Sequence, residues 1–447
     1  MLRTLSWLLA AAMFPAWTAP RAAPAADGGK QQQADRRAVQ AQLHSRSTLD
    51  RVEAVRRLAD FPALEGAKLA LSVGLADRER DVRQAAFTIL LAWNDEPEVA
   101  AFLLKNLENA SRGKGGSALV LPLVGVLAAA EQPEVRRRFD RFLEAYVTKS
   151  KDGATAMVAL ADDLGELADE QALRSLKALT RQKCVMKTFA CRRAVVQAML
   201  RVRRPEAVSA LLALLPNLDG EVRGDVVRYL EQLSGQQHGY DAGAWQAWWK
   251  EHQPGFEFPR GGGLLGAETA PKGVGYYYGL PLYARRMVFV IDVSGSMAGP
   301  RLAAAQRELT TAINGLPAEA EFGLVAFHSA VFVWRREMVR ATAEAKQEAR
   351  LFVYQLAAHG RTATYDALDA AFRFDPEAVY LLSDGEPNAG RVPAPAAIVA
   401  AIGQANRARR ISIYSIGIAP GAPGSDMELF MKTLAEQNLG RYRRLDQ

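Results

Sequence analysis

The chain has 447 residues, of which 49% are hydrophobic and 23% are charged, and its formal net charge at pH 7 is +7. This composition excludes an extensively disordered chain, and the length predicts two or three domains. Because the charge excess is small for this length and the arginines are scattered through helix-like segments, we expect no nucleic-acid partner.

Residues 1–25 have the pattern of an export signal. Arg3 precedes an apolar run from Leu5 to Trp17, and Ala23-Pro24-Ala25 supplies small residues of the kind found at cleavage sites. The run is too short for a stable anchor, and no later segment approaches the ~18 apolar residues of a transmembrane helix. A disordered or membrane-tethered tail is the alternative. We expect an exported protein that does not span a membrane and is periplasmic, cell-surface or secreted.

The only cysteines are Cys184 and Cys191. Seven residues of one continuous helix span about 10 Å, which is beyond the reach of a disulfide. A bridge would therefore require a turn between them, and both a disulfide and two free thiols remain open.

The amino-terminal half is predicted to be helical. Residues 26–46 are polar and Gln-rich, which predicts a flexible tether, whereas residues 47–252 carry apolar residues at helical spacing. A phrase of acidic residue, valine and arginine recurs at Asp81-Val82-Arg83, Glu134-Val135-Arg136 and Glu221-Val222-Arg223. The phrase resembles HEAT-like repeats, which implies an all-α solenoid of stacked helices. A non-repetitive helical bundle is the alternative.

The helical segment ends in an aromatic face followed by a linker. Trp245, Trp248 and Trp249 lie at i, i+3 and i+4, so we expect them on one helix face. We expect core packing there rather than a binding patch for carbohydrate or peptide. Residues 253–283 are dense in glycine and proline, which marks a domain boundary.

Residues 284–447 alternate strand and helix patterns. The run at 287–291 is apolar and β-branched, typical of a strand buried on both faces, and similar runs occur at 322–327, 378–382 and 411–418. Helical patterns separate these runs. The pattern predicts an α/β fold with a doubly wound, mostly parallel sheet of the Rossmann-like type.

Oxygen-bearing side chains directly follow two of these strands, and others lie on a loop between them. The first buried strand ends in D-V-S-G-S at 292–296, G-R-T occupies 360–362, and S-D-G at 383–385 follows the third buried strand. Ligands of open α/β sheets bind at the carboxyl ends of the strands. No cysteine or histidine is interleaved, so the segments favour a hard cation such as Mg²⁺ over Zn²⁺.

These segments together resemble the metal-ion-dependent adhesion site of von Willebrand factor A (VWA) domains, over about residues 284–447. The resemblance implies that Mg²⁺, or alternatively Mn²⁺ or Ca²⁺, is bound by five residues: Asp292, Ser294, Ser296, Thr362 and Asp384. Arg361 stands where many members have a second glycine, and would narrow access or offer a cation to an acidic ligand. Ser383 stands where threonine is frequent. A turn with a helix cap is the structural alternative.

The linker and first strand, from Tyr277 to Ser294, also resemble bacterial exported proteins that join helical repeats to this domain. That resemblance implies an architecture and no particular activity.

The VWA resemblance implies a binding protein rather than an enzyme. In the family the cation keeps a vacant or water-filled position, which an exposed acidic residue of a protein partner fills. One alternative is a scaffold whose helical repeats bind the partner while the VWA domain regulates. The other is a metal-dependent envelope enzyme. Its support is thin, because the histidines are dispersed and we expect His328 and His359 to be ordinary loop residues. The partner and the oligomeric state stay open.

Overall fold

The structure is a computed structural model that describes residues 29–112, 117–259 and 275–446. The predicted export signal at 1–25 and the central part of the predicted linker, residues 260–274, lie outside the described residues. The chain divides into two compact units, Met1–Ala207 and Val208–Gln447. The fold class is confirmed: a helical region precedes an α/β region with a mixed, largely parallel sheet.

The first unit is helical throughout its described parts. Its helices are α1 (Gly29–Gln42), α2 (Thr48–Arg57), α3 (Ala63–Leu69), α4 (Arg80–Ala92), α5 (Pro97–Ser111), α6 (Val120–Ala128), α7 (Pro133–Lys149), α8 (Gly153–Leu167), α9 (Glu170–Leu179), α10 (Lys183–Lys187) and α11 (Phe189–Arg201), with α12 (Pro205–Leu214) beginning at its end. The helix α1 occupies most of the segment for which a tether is predicted, and its Val39 is buried. Within the described residues, no helix has the length and apolar character needed to cross a membrane.

The recurring acidic–valine–arginine phrase opens three helices. Asp81 and Glu134 lie in the first turns of α4 and α7, and Glu221 lies in the first turn of α13 (Gly220–Ser234). An acidic side chain at this position is favoured by the positive end of the helix dipole. The valine that follows is buried in all three cases. The phrase therefore marks helix starts, as predicted.

Both cysteines are buried free thiols. Cys184 lies in α10 and Cys191 in α11, with an interruption at Thr188 between the two helices. Burial raises the pKa of the Cys184 thiol to about 11 and that of Cys191 to about 12. These thiols are therefore poor nucleophiles at neutral pH.

The second unit contains two helices and the sheet domain. The helices α13 and α14 (Ala242–His252), which the sequence analysis assigns to the helical region, lie in this unit. Trp245 and Trp249 of α14 are buried, and their indole N–H groups donate to Gly239 O at 2.9 Å and Ser209 Oγ at 2.8 Å. The expected core packing of these two tryptophans is confirmed.

The elements that follow alternate between strands and helices. They are β1 (Tyr276–Tyr277), β2 (Leu280–Pro281), β3 (Arg286–Asp292), α15 (Pro300–Gly315), β4 (Glu321–Phe327), β5 (Val331–Val333), β6 (Val339–Arg340), α16 (Ala343–Tyr354), α17 (Thr364–Phe372), β7 (Ala378–Ser383), α18 (Pro395–Asn406), β8 (Ser412–Ile418), α19 (Asp426–Glu436) and β9 (Tyr442–Leu445). The main sheet has the order β5-β4-β3-β7-β8-β9, and β6 also pairs with β4. The strands β4, β3, β7, β8 and β9 are parallel, whereas β5 and β6 are antiparallel to β4.

The strand order places a crevice beside the end of β3. The chain leaves β3 to form β4 on one side and returns to form β7 on the other. At such a reversal the connections diverge above and below the sheet, which leaves room at the carboxyl ends of the strands. Both faces of the sheet are covered, since alternate strand residues such as Phe289 and Val288 enter separate hydrophobic cores. The fold thus fixes Asp292, the last residue of β3, at the edge of this crevice.

The opposite, amino-terminal edge of the sheet is closed by α13. The fully buried carboxylate of Glu221 accepts hydrogen bonds from Tyr414 Oη at 2.9 Å and Ser412 Oγ at 3.0 Å. A second buried carboxylate, Glu377 just before β7, accepts from the backbone N–H of Arg285 at 3.1 Å and of Glu221 at 3.3 Å. These contacts tie the start of α13 to β7 and β8.

Candidate metal centre

The first predicted site residue, Asp292, is fixed by hydrogen bonds to both carboxylate oxygens. It is fully buried, Oδ1 accepts from the backbone N–H of Ser294 at 2.8 Å, and Oδ2 accepts from Ser383 Oγ at 2.5 Å. Ser383 is the last residue of β7, and β7 pairs with β3. The pairing of the two strands therefore brings this hydroxyl to the carboxylate.

The two predicted serines lie on the turn that follows β3. A short 3-10 turn, Gly295–Met297, brings Ser294 Oγ to within 3.2 Å of Ser296 Oγ. Ser296 Oγ then donates to Asp384 Oδ1 at 2.8 Å. Ser294 is buried, whereas Ser296 is exposed and borders solvent. The turn thus links the ends of β3 and β7 through side-chain oxygens.

Thr362 is positioned by the loop that follows β7. Its backbone N–H donates to Asn388 Oδ1 at 2.9 Å, and its carbonyl accepts from the backbone N–H of Asn388 at 3.0 Å. Gly385 borders the hydroxyls of both Thr362 and Ser296, since a Cβ on it would lie 3.4 Å from each. The carbonyl of Gly360 also accepts from the N–H of Gly295 at 3.1 Å. The structure therefore brings all five predicted residues into one cluster.

Sequence reasoning missed a positively charged side chain that contacts this cluster. Arg301, the second residue of α15, donates from Nη1 to Asp384 Oδ2 at 2.7 Å and to the carbonyl of Ser296 at 3.2 Å. Arginine in the first turn of a helix opposes the helix dipole. That mismatch, directly after the serine-rich turn, is the sequence signal for an anionic partner. The supporting side chains Ser383 and Asn388 offer no comparable signal, because their roles depend on tertiary placement.

Burial dominates the electrostatics of Asp292. Desolvation raises the pKa of Asp292 to about 6, hydrogen bonds from Ser383 and Ser294 oppose the rise, and the charge of Asp384 adds to it. A carboxylate that is costly to ionise without a counterion favours the approach of a cation.

The donor set fits a hard divalent cation. The cluster offers three hydroxyls and two carboxylates, all oxygen donors, which is the chemistry that Mg²⁺ and Ca²⁺ prefer. Across the described ranges, no group of three or more His, Cys, Asp or Glu side chains is placed to hold a metal. A metal at this edge would therefore depend on the hydroxyls of Ser294, Ser296 and Thr362.

Two histidines lie near the same edge. The rings of His328 and His359 have centroids 4.0 Å apart, and the backbone N–H of His359 donates to the carbonyl of Val293 at 2.9 Å. Burial, with a smaller effect from His359, lowers the pKa of His328. His328 Nδ1 accepts from the backbone N–H of Ala330 at 3.2 Å. These contacts are those of residues that shape a loop.

Known proteins share the α/β region. Residues 285–444 match the family model described as "von Willebrand factor type A domain". The inter-alpha-trypsin inhibitor heavy chain H3 of Mesocricetus auratus is 28% identical over 181 residues, which are 37% of this chain and 20% of that protein. Heavy chain H2 of Sus scrofa is 30% identical over 175 residues, which are 36% of this chain and 18% of that protein. The chain thus spans about a fifth of the length of these curated relatives.

Solved structures match the same portion. A von Willebrand factor type A protein from Catenulispora acidiphila is 26% identical and covers 36% of this chain and 38% of its own, with a TM-score of 0.32. The PilB minor pilin from Streptococcus sanguinis is 14% identical and covers 36% of this chain and 56% of its own, with a TM-score of 0.29. The family match and the observed strand order agree on one assignment: residues 285–444 are a von Willebrand factor type A domain.

Proposed function

We propose that the VWA domain binds a protein partner through a divalent cation held by Asp292, Ser294, Ser296, Thr362 and Asp384. An exposed acidic residue of the partner completes the coordination of the cation. The observation that carries the proposal is the convergence of three separate loops, each delivering oxygen-bearing side chains to one cluster at the carboxyl edge of the sheet.

Each side chain has a distinct part in this proposal. The two aspartates supply negative charge from buried positions, and Ser383 and the Ser294 amide fix the orientation of Asp292. The three hydroxyls are neutral ligands, so they leave the cation attractive to a further anion. The helices α15 and α17 both begin next to this cluster, and their positive ends favour an anion there as well.

Mg²⁺ is the proposed cation, with Mn²⁺ and Ca²⁺ as alternatives, because every donor is oxygen. The bound cation would supply a strong electrostatic attraction for the partner's carboxylate. This role requires no chemical turnover, so we propose a binding protein and not an enzyme. The kinship with inter-alpha-trypsin inhibitor heavy chains supports a protein-binding or adhesion role at this coarse level. We also propose that the protein is exported, on the pattern of residues 1–25.

The test compares thermal unfolding of the full chain in Mg²⁺ and in EDTA. A ligand that binds the folded state at 100 times its Kd stabilises it by about 2.7 kcal/mol. We expect Mg²⁺ to raise the melting temperature of the wild type, and Asp292→Ala to abolish the rise. Asp426→Ala is the matched control, since Asp426 is an exposed aspartate of the same domain. Equal melting temperatures of the wild type in both conditions would contradict the proposal.

Partner capture provides the second test. The full chain, immobilised in Mg²⁺, is used to retain proteins from the envelope of the source cell, with Asp292→Ala as the comparison. We expect retention that EDTA reverses and that the variant loses. Retention that survives EDTA and Asp384→Ala but is lost on removing residues 47–204, which leaves α12, α13 and α14 with the sheet, would assign binding to the helical region instead.

A further inference from the structure

A guanidinium already contacts the proposed metal site. Arg301 Nη1 lies 2.7 Å from Asp384 Oδ2, while Asp384 Oδ1 accepts from Ser296 Oγ at 2.8 Å. The Asp384 side chain is fully buried and that of Arg301 is 35% exposed. One oxygen of the Asp384 carboxylate therefore contacts the hydroxyl cluster, and the other contacts a guanidinium that is partly exposed to solvent.

The remaining donors of this guanidinium are not used by the described parts of the chain. Both hydrogen bonds of the Arg301 side chain come from Nη1, and Nε and Nη2 bond to no described residue. Because Arg301 lies in the first turn of α15, the helix dipole opposes its charge. Its position is thus stabilised by Asp384, and it retains donors for another anion.

The charges around the site indicate the effect of the Arg301 guanidinium. Asp292 and Asp384 carry two negative charges when both are ionised, which a divalent cation would neutralise. With Arg301 present, the loaded site has one positive charge in excess, and a single carboxylate neutralises it. Without Arg301, the loaded site would be neutral and would attract a further carboxylate only through the open position of the metal. Charges this close interact strongly where they are partly removed from water.

We propose that Arg301 is a specificity-determining residue that lowers the affinity of the site for divalent cations and raises the affinity of the loaded site for the partner's carboxylate. This inference rests on the proposed function and adds a residue to it. It makes two predictions of opposite sign. Removal of the guanidinium strengthens binding of the metal and weakens binding of the carboxylate.

The test measures both affinities in the full chain with simple probes. Mn²⁺ alone is titrated by calorimetry, and acetate is then titrated into the Mn²⁺-loaded protein, where it displaces metal-bound water and lowers the water-proton relaxation rate. For Arg301→Ala we expect Mn²⁺ binding to tighten about tenfold and acetate binding to weaken about tenfold. Arg301→Lys keeps the charge and is expected to lie between the wild type and Arg301→Ala.

Matched variants separate this effect from a structural one. Arg307→Ala removes an exposed arginine of the same helix and is expected to leave both affinities unchanged. Arg301→Gln keeps a donor for Asp384 without the charge and should behave as Arg301→Ala does, which covers the case in which the alanine variant fails to fold. Unchanged or weaker Mn²⁺ binding in Arg301→Gln would overturn the inference and leave the proposed function standing. Absence of Mn²⁺ binding in the wild type and in every variant would remove both.

Discussion

Each end of the sheet contains two buried carboxylates, but different elements surround them at the two ends. The carboxyl edge has the buried carboxylates of Asp292 and Asp384, and the amino edge has those of Glu221 and Glu377. At the amino edge the hydrogen-bond donors are side chains of β8 and the backbone amides of Glu221 and Arg285, and α13 covers them. At the carboxyl edge the donors come from the turn after β3, the end of β7 and the start of α15, and the Ser296 hydroxyl borders solvent.

Burial of a carboxylate therefore does not by itself identify a binding site. Desolvation is the largest cause of a raised pKa both for Asp292 and for Glu377. What differs is exposure to solvent, because Glu221, Glu377 and the strand side chains that donate to Glu221 are buried, whereas the exposed Ser296 lies in the cluster at the carboxyl edge. The amino edge is a structural junction, whereas the carboxyl edge is the site at which we propose that the domain binds a cation. Removing charges and hydroxyls at each end of the sheet tests this difference.

The largest effect is expected at the amino edge, for Glu221→Ala. The substitution leaves the buried Tyr414 hydroxyl without the carboxylate that accepts its hydrogen bond and opens a cavity under α13. We expect the free energy of opening in β7 and β8 to fall by about 3 kcal/mol. Hydrogen exchange of the full chain, followed by mass spectrometry, measures this as at least hundredfold faster exchange in those strands.

Glu134→Ala is the matched control for that variant. Glu134 occupies the same position in the recurring phrase at the start of α7 but is exposed. Exchange in α7 should change little. If Glu221→Ala left the exchange of β8 unaffected, the amino edge would not be the junction described above.

The next effect, at the carboxyl edge, is a gain of stability in Asp292→Asn when no metal is present. The folded-state pKa of Asp292, about 6, lies above the value of 3.8 for an exposed aspartate. The folded state therefore holds this proton more tightly, and the free energy of unfolding falls as the pH rises from about 4 through 6. A shift of about two pKa units corresponds to about 3 kcal/mol, which the loss of ionised-state hydrogen bonds in the variant reduces to about 2 kcal/mol.

Melting temperatures measured in EDTA test whether Asp292→Asn is more stable than the wild type. Asp292→Asn is expected to melt above the wild type at pH 7.5, and the difference should shrink toward zero as the pH approaches 4. Other titrating groups affect both proteins equally and cancel in the difference. A constant difference across this pH range would show that ionised Asp292 carries no penalty.

The recurring acidic–valine–arginine phrase shows which structural features can be predicted from the sequence. It correctly predicts the starts of α4, α7 and α13, because dipole and periodicity are local properties. It cannot distinguish exposed Asp81 and Glu134 from buried Glu221, since that difference depends on strands almost 200 residues later. The same limit separates α13 from the helical region in which its sequence pattern places it.

At the proposed site the candidate ligands could be predicted from the sequence, but most of the side chains that support them could not. Its five oxygen-bearing residues could be named from the sequence, because D-x-S-x-S, the G-R-T loop and the S-D-G segment together resemble the adhesion site of VWA domains and two of these segments follow strands of one sheet. The contacts of Ser383 and Asn388 could not, since each depends on which segments lie side by side, and the position of Arg301 in a first helical turn indicates an anionic partner without identifying Asp384. Sequence therefore identifies the candidate ligands more readily than the side chains that orient them and balance their charge.

The smallest effects come from removing one hydroxyl at each edge, with Ser383→Ala and Ser412→Ala. Both serines are buried and donate to a buried carboxylate, Asp292 and Glu221 respectively. Each loss is expected to cost about 1–2 kcal/mol at neutral pH in EDTA, since a hydrogen bond to a charged group contributes about 1.5–3 kcal/mol and rearrangement recovers part of it. Mg²⁺ distinguishes the two. Loss of Ser383 frees Asp292 from its orientation, so we expect the Mg²⁺-induced rise in melting temperature to shrink in Ser383→Ala and to keep its wild-type size in Ser412→Ala. Equal Mg²⁺ responses in the two variants would mean that Ser383 fills the same structural role at its edge as Ser412 does at the other.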